Sequence, residues 1–167
     1  MLLDTKHFNF ITIADLISAI PLTFYFIPIY EYVRTRAIDQ LLFFLGILFI
    51  TVSTDLIKRI PYSKSSAFYH ITRRPEGAEN CDYLSKMGPA RPDAPGFPSG
   101  HMATTAFFCT YMYLLYPDNH PFTLFNILLV LGMGWARYFK KCHNMVQIVV
   151  GTIYGGVGAG VWKWIFG

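Results

Sequence analysis

Three short stretches hold side chains that could work together. They are Thr72-Arg73-Arg74-Pro75, then Pro98-Ser99-Gly100-His101, then Arg137 followed after five residues by His143 and after three more by Gln147. A Ser-Gly pair just before an apolar run places unpaired N–H groups and the positive end of a helix beside an anion, so residues 99–101 read as a phosphate cradle. Arg74 and Arg137 add planar, bidentate phosphate contacts. One imidazole can attack phosphorus while the other protonates the departing oxygen. On a helix His143 and Gln147 share a face, and the Gln147 carbonyl can accept from the His143 Nδ1–H, leaving Nε2 free to attack. The scheme calls for no metal and no cofactor.

The elements that must position these groups belong to a membrane. The chain has 167 residues, 53% of them hydrophobic and 14% charged, against about 25% charged in a soluble domain. Uncharged runs at 16–30, 40–54, 94–117, 119–136 and 144–162 approach the roughly 20 residues of a bilayer-spanning helix. They predict spans over about Ile11–Tyr30, Ala37–Ile57, His101 to just before Pro117, Pro121–Ala136 and Asn144–Phe166. The fold expected is one all-α domain over 1–167: a polytopic membrane helix bundle with about five transmembrane helices. Between helices two and three lies a loop of about 40 residues, 59–99, expected to be ordered by its aromatics and to carry part of the site. Six of the ten prolines fall in it.

Five spans put the N-terminus, the 59–99 loop and the 137–143 turn on one side of the bilayer, which is what lets the three stretches meet. A net charge of +4, scattered and without a basic run interleaved with aromatics, excludes nucleic acid as the default partner. The partners expected are the bilayer and a phosphate-bearing lipid in it. No cleavable signal peptide is evident, and the first span is expected to stay as an anchor.

The order Arg74-Pro75, Pro98-Ser99-Gly100-His101 and Arg137-x5-His143 in a small polytopic protein resembles the type 2 phosphatidic acid phosphatase superfamily of lipid phosphatases, over roughly residues 58–160. The resemblance implies that His143 is the nucleophile that becomes phosphohistidine and His101 the general acid. It implies that Arg74, Arg137, Ser99, Gly100 and a lysine bind the phosphoryl group. Three positions depart from the family pattern. Its lysine, seven places before the first-motif arginine, is Ala67 here, so the role falls to Lys58 at the end of span two or to Lys64, Lys58 being favoured. The serine before the third-motif arginine is Ala136. The aspartate that orients the nucleophile is Gln147, which is similar to the dolichyl-diphosphatase branch, and the Arg74–Ala78 and Gly96–His101 segments resemble those of small viral homologues. The family usually has six spans. The function implied is hydrolysis of a lipid phosphate or diphosphate, of isoprenoid diphosphate or phosphatidate type. The alternative is a weak or inactive membrane protein of the same fold with a structural or lipid-binding role.

The remaining chemically capable residues have plainer readings. His7, His70 and His120 read as structural, Cys109 as packing, and Lys140 and Lys141 as a solvated interfacial pair. Asp15, about one turn inside span one, reads as solvated or capping. Cys81 and Cys142 are either disulfide-bonded, pinning the long loop over the site, or two free thiols. Gly151/Gly155 and Gly156/Gly160 read as close helix packing, and Trp162 and Trp164 as an interfacial anchor. Eleven of the fourteen basic residues fall on the site's side. Positive-inside counting points that side to the cytoplasm, whereas the resemblance points it to the lumen or exterior.

Overall fold

The computed structural model describes residues 5–60, 67–78, 81 and 94–167. It is an all-α bundle with six helices among the described residues: α1 Thr5–Thr35, α2 Ile38–Lys58, α3 Ala67–Thr72, α4 Gly100–Leu115, α5 His120–Phe139 and α6 Met145–Phe166. Four of them, α1 (from Ile13), α2, α5 and α6, are long and apolar enough to cross a membrane. The protein is a multi-pass integral membrane protein. The helix expected as the third span, α4, has 16 residues, about 24 Å at 1.5 Å per residue. That falls short of a hydrocarbon core of about 30 Å.

The middle of the bundle belongs to α4. Nine of its sixteen residues are buried, and it packs against α6, α5, α2 and α1. Between α4 and α6 the backbones nearly touch. A Cβ on Gly151 would sit 2.6 Å from the Ser99 carbonyl oxygen, and one on Gly155 would overlap the Ala103 carbonyl. Only glycine permits that approach, and in lipid such packing replaces the hydrophobic drive between helices. On the other flank rings from α1, α2 and α4 stack: Phe24 on Phe108 with centroids 4.1 Å apart, and Phe43 on Tyr111 at 4.4 Å.

The two prolines of α1 are accommodated without ending the helix, which runs through Pro21 and Pro28 and is longer at both ends than the expected span. Trp164 is 85% exposed and fits the interfacial reading, but Trp162 is half-buried. The Trp162 indole donates to the Leu42 carbonyl at 3.0 Å and so ties α6 to α2.

Of the long connection, residues 67–78, 81 and 94–99 are described. Helix α3 leads into an antiparallel bridge in which Arg74 N–H donates to the Ala94 carbonyl at 3.0 Å and Gly96 N–H to the Thr72 carbonyl at 2.7 Å. This bridge carries Arg74 and delivers the chain to the start of α4.

Candidate active site

The site forms where four chain segments meet at one end of the bundle. The last turn of α2 brings Lys58, the bridge brings Arg74, and the start of α4 brings Ser99, Gly100 and His101. The α5–α6 junction brings Arg137, His143 and Gln147. Arg137, His143, Lys58 and Arg74 all lie close enough to His101 to bear on its electrostatics, so these five side chains share one locality. Lys64 lies outside the described residues. Lys58 does reach the cradle: its Nζ would be 3.1 Å from a Cβ on Gly100, and it also pairs with Asp55 at 2.9 Å.

His143 is 2% exposed and sits in the turn between α5 and α6. Its backbone N–H, at 3.3 Å, and that of Cys142, at 3.0 Å, both donate to the Arg137 carbonyl, so one arginine anchors the turn that holds the histidine. Burial drives the imidazole well below its usual range of protonation, and the positive charges of Arg137, Arg74 and Lys58 act in the same direction, against a hydrogen bond with Gln147. The imidazole is therefore neutral at pH 7.

Gln147 is fully buried and uses its whole side chain. Its Oε1 lies 3.0 Å from His143 Nδ1 and accepts from the Asn144 N–H at 3.4 Å. Its amide nitrogen donates to the Ile71 and Arg73 carbonyls, each at 2.7 Å. Those two carbonyls accept only, so they fix the amide with its oxygen toward the histidine, and Nδ1 is the protonated nitrogen. Nε2 keeps its lone pair. Gln147 is also the third residue of an α6 capping box with Asn144, and Asn144 reaches the Ile71 carbonyl at 3.3 Å. The start of α6 thereby clamps the backbone next to Arg74.

The cradle differs in detail from the sequence expectation. The Ser99 N–H is taken by the Gln147 carbonyl at 3.1 Å, so it does not face an anion. Its hydroxyl makes no capping bond to α4 and is buried with no hydrogen-bond partner among the described residues. The donors left for an anion at this place are that hydroxyl and the N–H groups of the first turn of α4, beginning at Gly100.

Arg137 is 1% exposed. It donates to the Cys81 carbonyl at 2.6 Å and to Ser18 Oγ at 3.4 Å. Cys81 is disulfide-bonded to Cys142, which decides between the two states left open by the sequence and sets the Cys81 carbonyl against the arginine.

Several site-shaping residues have no motif to betray them. Asp15 was expected to be solvated or capping and Lys140 to be one of a solvated pair, but Asp15 lies inside α1 and the two form an ion pair, with the Lys140 side chain only 7% exposed. Ser18 has no feature that marks it in the sequence. Gly96 is required because a Cβ there would lie 2.7 Å from Gln147 Oε1 and 3.1 Å from Arg74 Cγ. Asp15 carried a usable signal, as an acid inside an apolar run.

A cavity of about 810 Å³ adjoins the site. Lys58, Arg74, Gly100 and His101 contribute to its lining, and so do the apolar side chains of α1 at Pro21, Leu22, Tyr25 and Phe26. Its volume falls in the range of small-molecule sites.

Among known families, the model of the PAP2 superfamily matches residues 41–167 of the chain. No curated protein and no solved structure matches it.

Proposed function

The chain belongs to the PAP2 superfamily, the type 2 phosphatidic acid phosphatases, whose members act as phosphatases on phosphate esters, and from that premise we propose that it hydrolyses a membrane lipid phosphate or diphosphate through a phosphohistidine on His143. The observation that carries the reading is the state of His143: buried, neutral, and held at Nδ1 by Gln147 so that Nε2 keeps its lone pair.

In the first step Nε2 attacks phosphorus and the P–O bond to the lipid breaks, while His101, kept protonated by the negative charge of the bound phosphate against the surrounding cations, gives its proton to the departing oxygen. In the second, His101 takes a proton from water, whose oxygen attacks phosphorus. The P–N bond breaks, phosphate leaves, and both histidines return to their starting states. Charge on the transferring group is met by Arg74, Arg137, Lys58, the Ser99 hydroxyl and the first-turn amides of α4. These positive groups stand where a metal ion would otherwise be needed, so the scheme runs without one.

The cavity supports a lipid substrate, because the cationic residues and the apolar face of α1 line the same space. Isoprenoid diphosphates are the first substrates to test, on the similarity of Gln147 to the dolichyl-diphosphatase branch, and phosphatidate-type lipids the second. The test is phosphate release by detergent-purified protein with EDTA present, over a panel of both lipid classes, for wild type and His143→Ala. Release that needs His143 and survives EDTA supports the proposal. No release from any lipid, or release unchanged by the substitution, overturns it in favour of a structural or lipid-binding role.

A further inference from the structure

Helix α1 lies outside the residues that match the family, 41–167, yet it touches the third motif at two places, Arg137 and Lys140. Asp15 Oδ1 pairs with the Lys140 ammonium. One turn further along, Ser18 Oγ–H donates to the Ala14 carbonyl at 2.7 Å, so the oxygen lone pairs are turned toward the guanidinium of Arg137, whose Nη1 donates to it at 3.4 Å. The partners are 125 and 119 residues away in sequence. Residues 15 and 18 are i and i+3, so they project from the same face of the helix.

The geometry points to Asp15 and Ser18 as positioning residues for the third motif: Asp15 holds the turn that carries His143, and Ser18 orients Arg137. The assignment rests on the roles proposed above for His143 and Arg137. The turn is held on its His143 side by the Arg137 carbonyl and the Cys81–Cys142 disulfide, and on its α5 side by Asp15. It lies between α5 and α6, it includes Lys141 in the left-handed region at φ 53°, and Lys140 starts it immediately after the last residue of α5. The Lys140 side chain is 7% exposed and its ammonium pairs with Asp15, so removing the carboxylate takes away the tie between α1 and the turn and lets the turn shift. Ser18 acts on binding instead. Arg137 is fixed from one side by the Cys81 carbonyl, and Ser18 supplies the contact from the other.

The two residues therefore predict different kinetic signatures, which a general loosening of the bundle would not produce. Asp15→Asn should lower kcat roughly tenfold with KM nearly unchanged, and Asp15→Glu should restore most of it. Ser18→Ala should raise KM roughly threefold at constant kcat, because a long hydrogen bond to a cation is lost. Leu16→Ala, on the lipid-facing side of the same helix at 64% exposed, should match wild type. Binding of orthovanadate, read as a thermal shift of the detergent-solubilised protein, gives an arm that needs no turnover, and there Ser18→Ala should weaken binding by a similar factor. An active wild type whose kcat and KM are the same in Asp15→Asn and Ser18→Ala overturns this inference while leaving the phosphatase reading intact, as does an Asp15→Glu no better than Asp15→Asn. An inactive wild type that still binds vanadate, more weakly in Ser18→Ala, overturns the phosphatase reading and supports the placement of Arg137 by α1. A wild type that neither turns over nor binds vanadate overturns both.

Discussion

Replacing Gln147 with glutamate restores the carboxylate that the family pattern places against the nucleophile, and the structure predicts that it harms the protein. The Gln147 amide nitrogen donates two hydrogen bonds of 2.7 Å, to the Ile71 and Arg73 carbonyls. A carboxylate cannot donate either. Two lost bonds at about 1 kcal/mol each, plus on the order of 2 kcal/mol for a buried anion facing carbonyl oxygens, make a loss of about 4 kcal/mol. For a chain of this length that is roughly 8–16 °C in Tm. The loss should shrink as pH falls, because burial against carbonyls raises the pKa of the introduced acid, and once protonated it donates to one of them. Activity should fall with the clamp, since the same carbonyls fix the backbone entering Arg74. The assay is thermal unfolding in detergent at pH 7.5 and 5.0 together with phosphate release for Gln147→Glu. A variant as stable as wild type and faster would refute the reasoning, because it would mean that the site had simply lacked its carboxylate.

Other substitutions test the same geometry. Gly96→Ala forces a methyl to within 2.7 Å of Gln147 Oε1 and 3.1 Å of Arg74 Cγ, and should cost about 1–3 kcal/mol of stability and most of the phosphate release. The Cys81–Cys142 link spans 61 residues, so Cys81→Ala should lower unfolding free energy by about 4 kcal/mol in the loop-entropy estimate and raise KM by loosening the carbonyl that holds Arg137; denaturation and kinetics under non-reducing conditions measure both. His143 is held below its usual pKa of about 6.5 by burial and by Arg137, Arg74 and Lys58. The unfolded chain therefore binds the extra proton first, and stability should be complete above pH 6.5 and fall as pH drops through the window below it. That slope should flatten in His143→Asn when unfolding is followed from pH 7.5 to 5.

The parts of this account that were legible in the sequence are those that lipid and motif spacing impose. Apolar runs declared α1, α2, α5 and α6 because a bilayer demands helices of that length, and the glycines of α6 announced a close helix contact, which Gly151 and Gly155 make with α4 while Gly160 meets nothing among the described residues. Lys58 was placed near the cradle by the resemblance, which puts a lysine at the end of α2. Illegible were the contacts that depend on which side chains a long connection brings together. Gln147 reads as an acceptor for His143 from its i, i+4 spacing, but its clamp on Ile71 and Arg73 joins residues more than 70 positions apart. The use of the Ser99 N–H by the Gln147 carbonyl is likewise set by the depth to which α6 sinks against α4 at Gly151. Asp15 and Lys140 each look like solvated interfacial charges until the fold sets them together, and Trp162 looks like an anchor until its indole finds the Leu42 carbonyl.

The central claim is a covalent phosphoryl group on His143, and trapping it is the most direct measurement. Brief exposure of the purified protein to a lipid phosphate labelled on its transferable phosphorus, with EDTA present and an acid-free quench, should leave label on the chain. The adduct should be labile to acid and stable to alkali, as a P–N bond requires, and map to the peptide containing His143. His101→Ala, which retains the nucleophile, should still carry label, whereas His143→Ala should carry none. Label that resists acid, sits on another residue, or persists in His143→Ala would contradict the account.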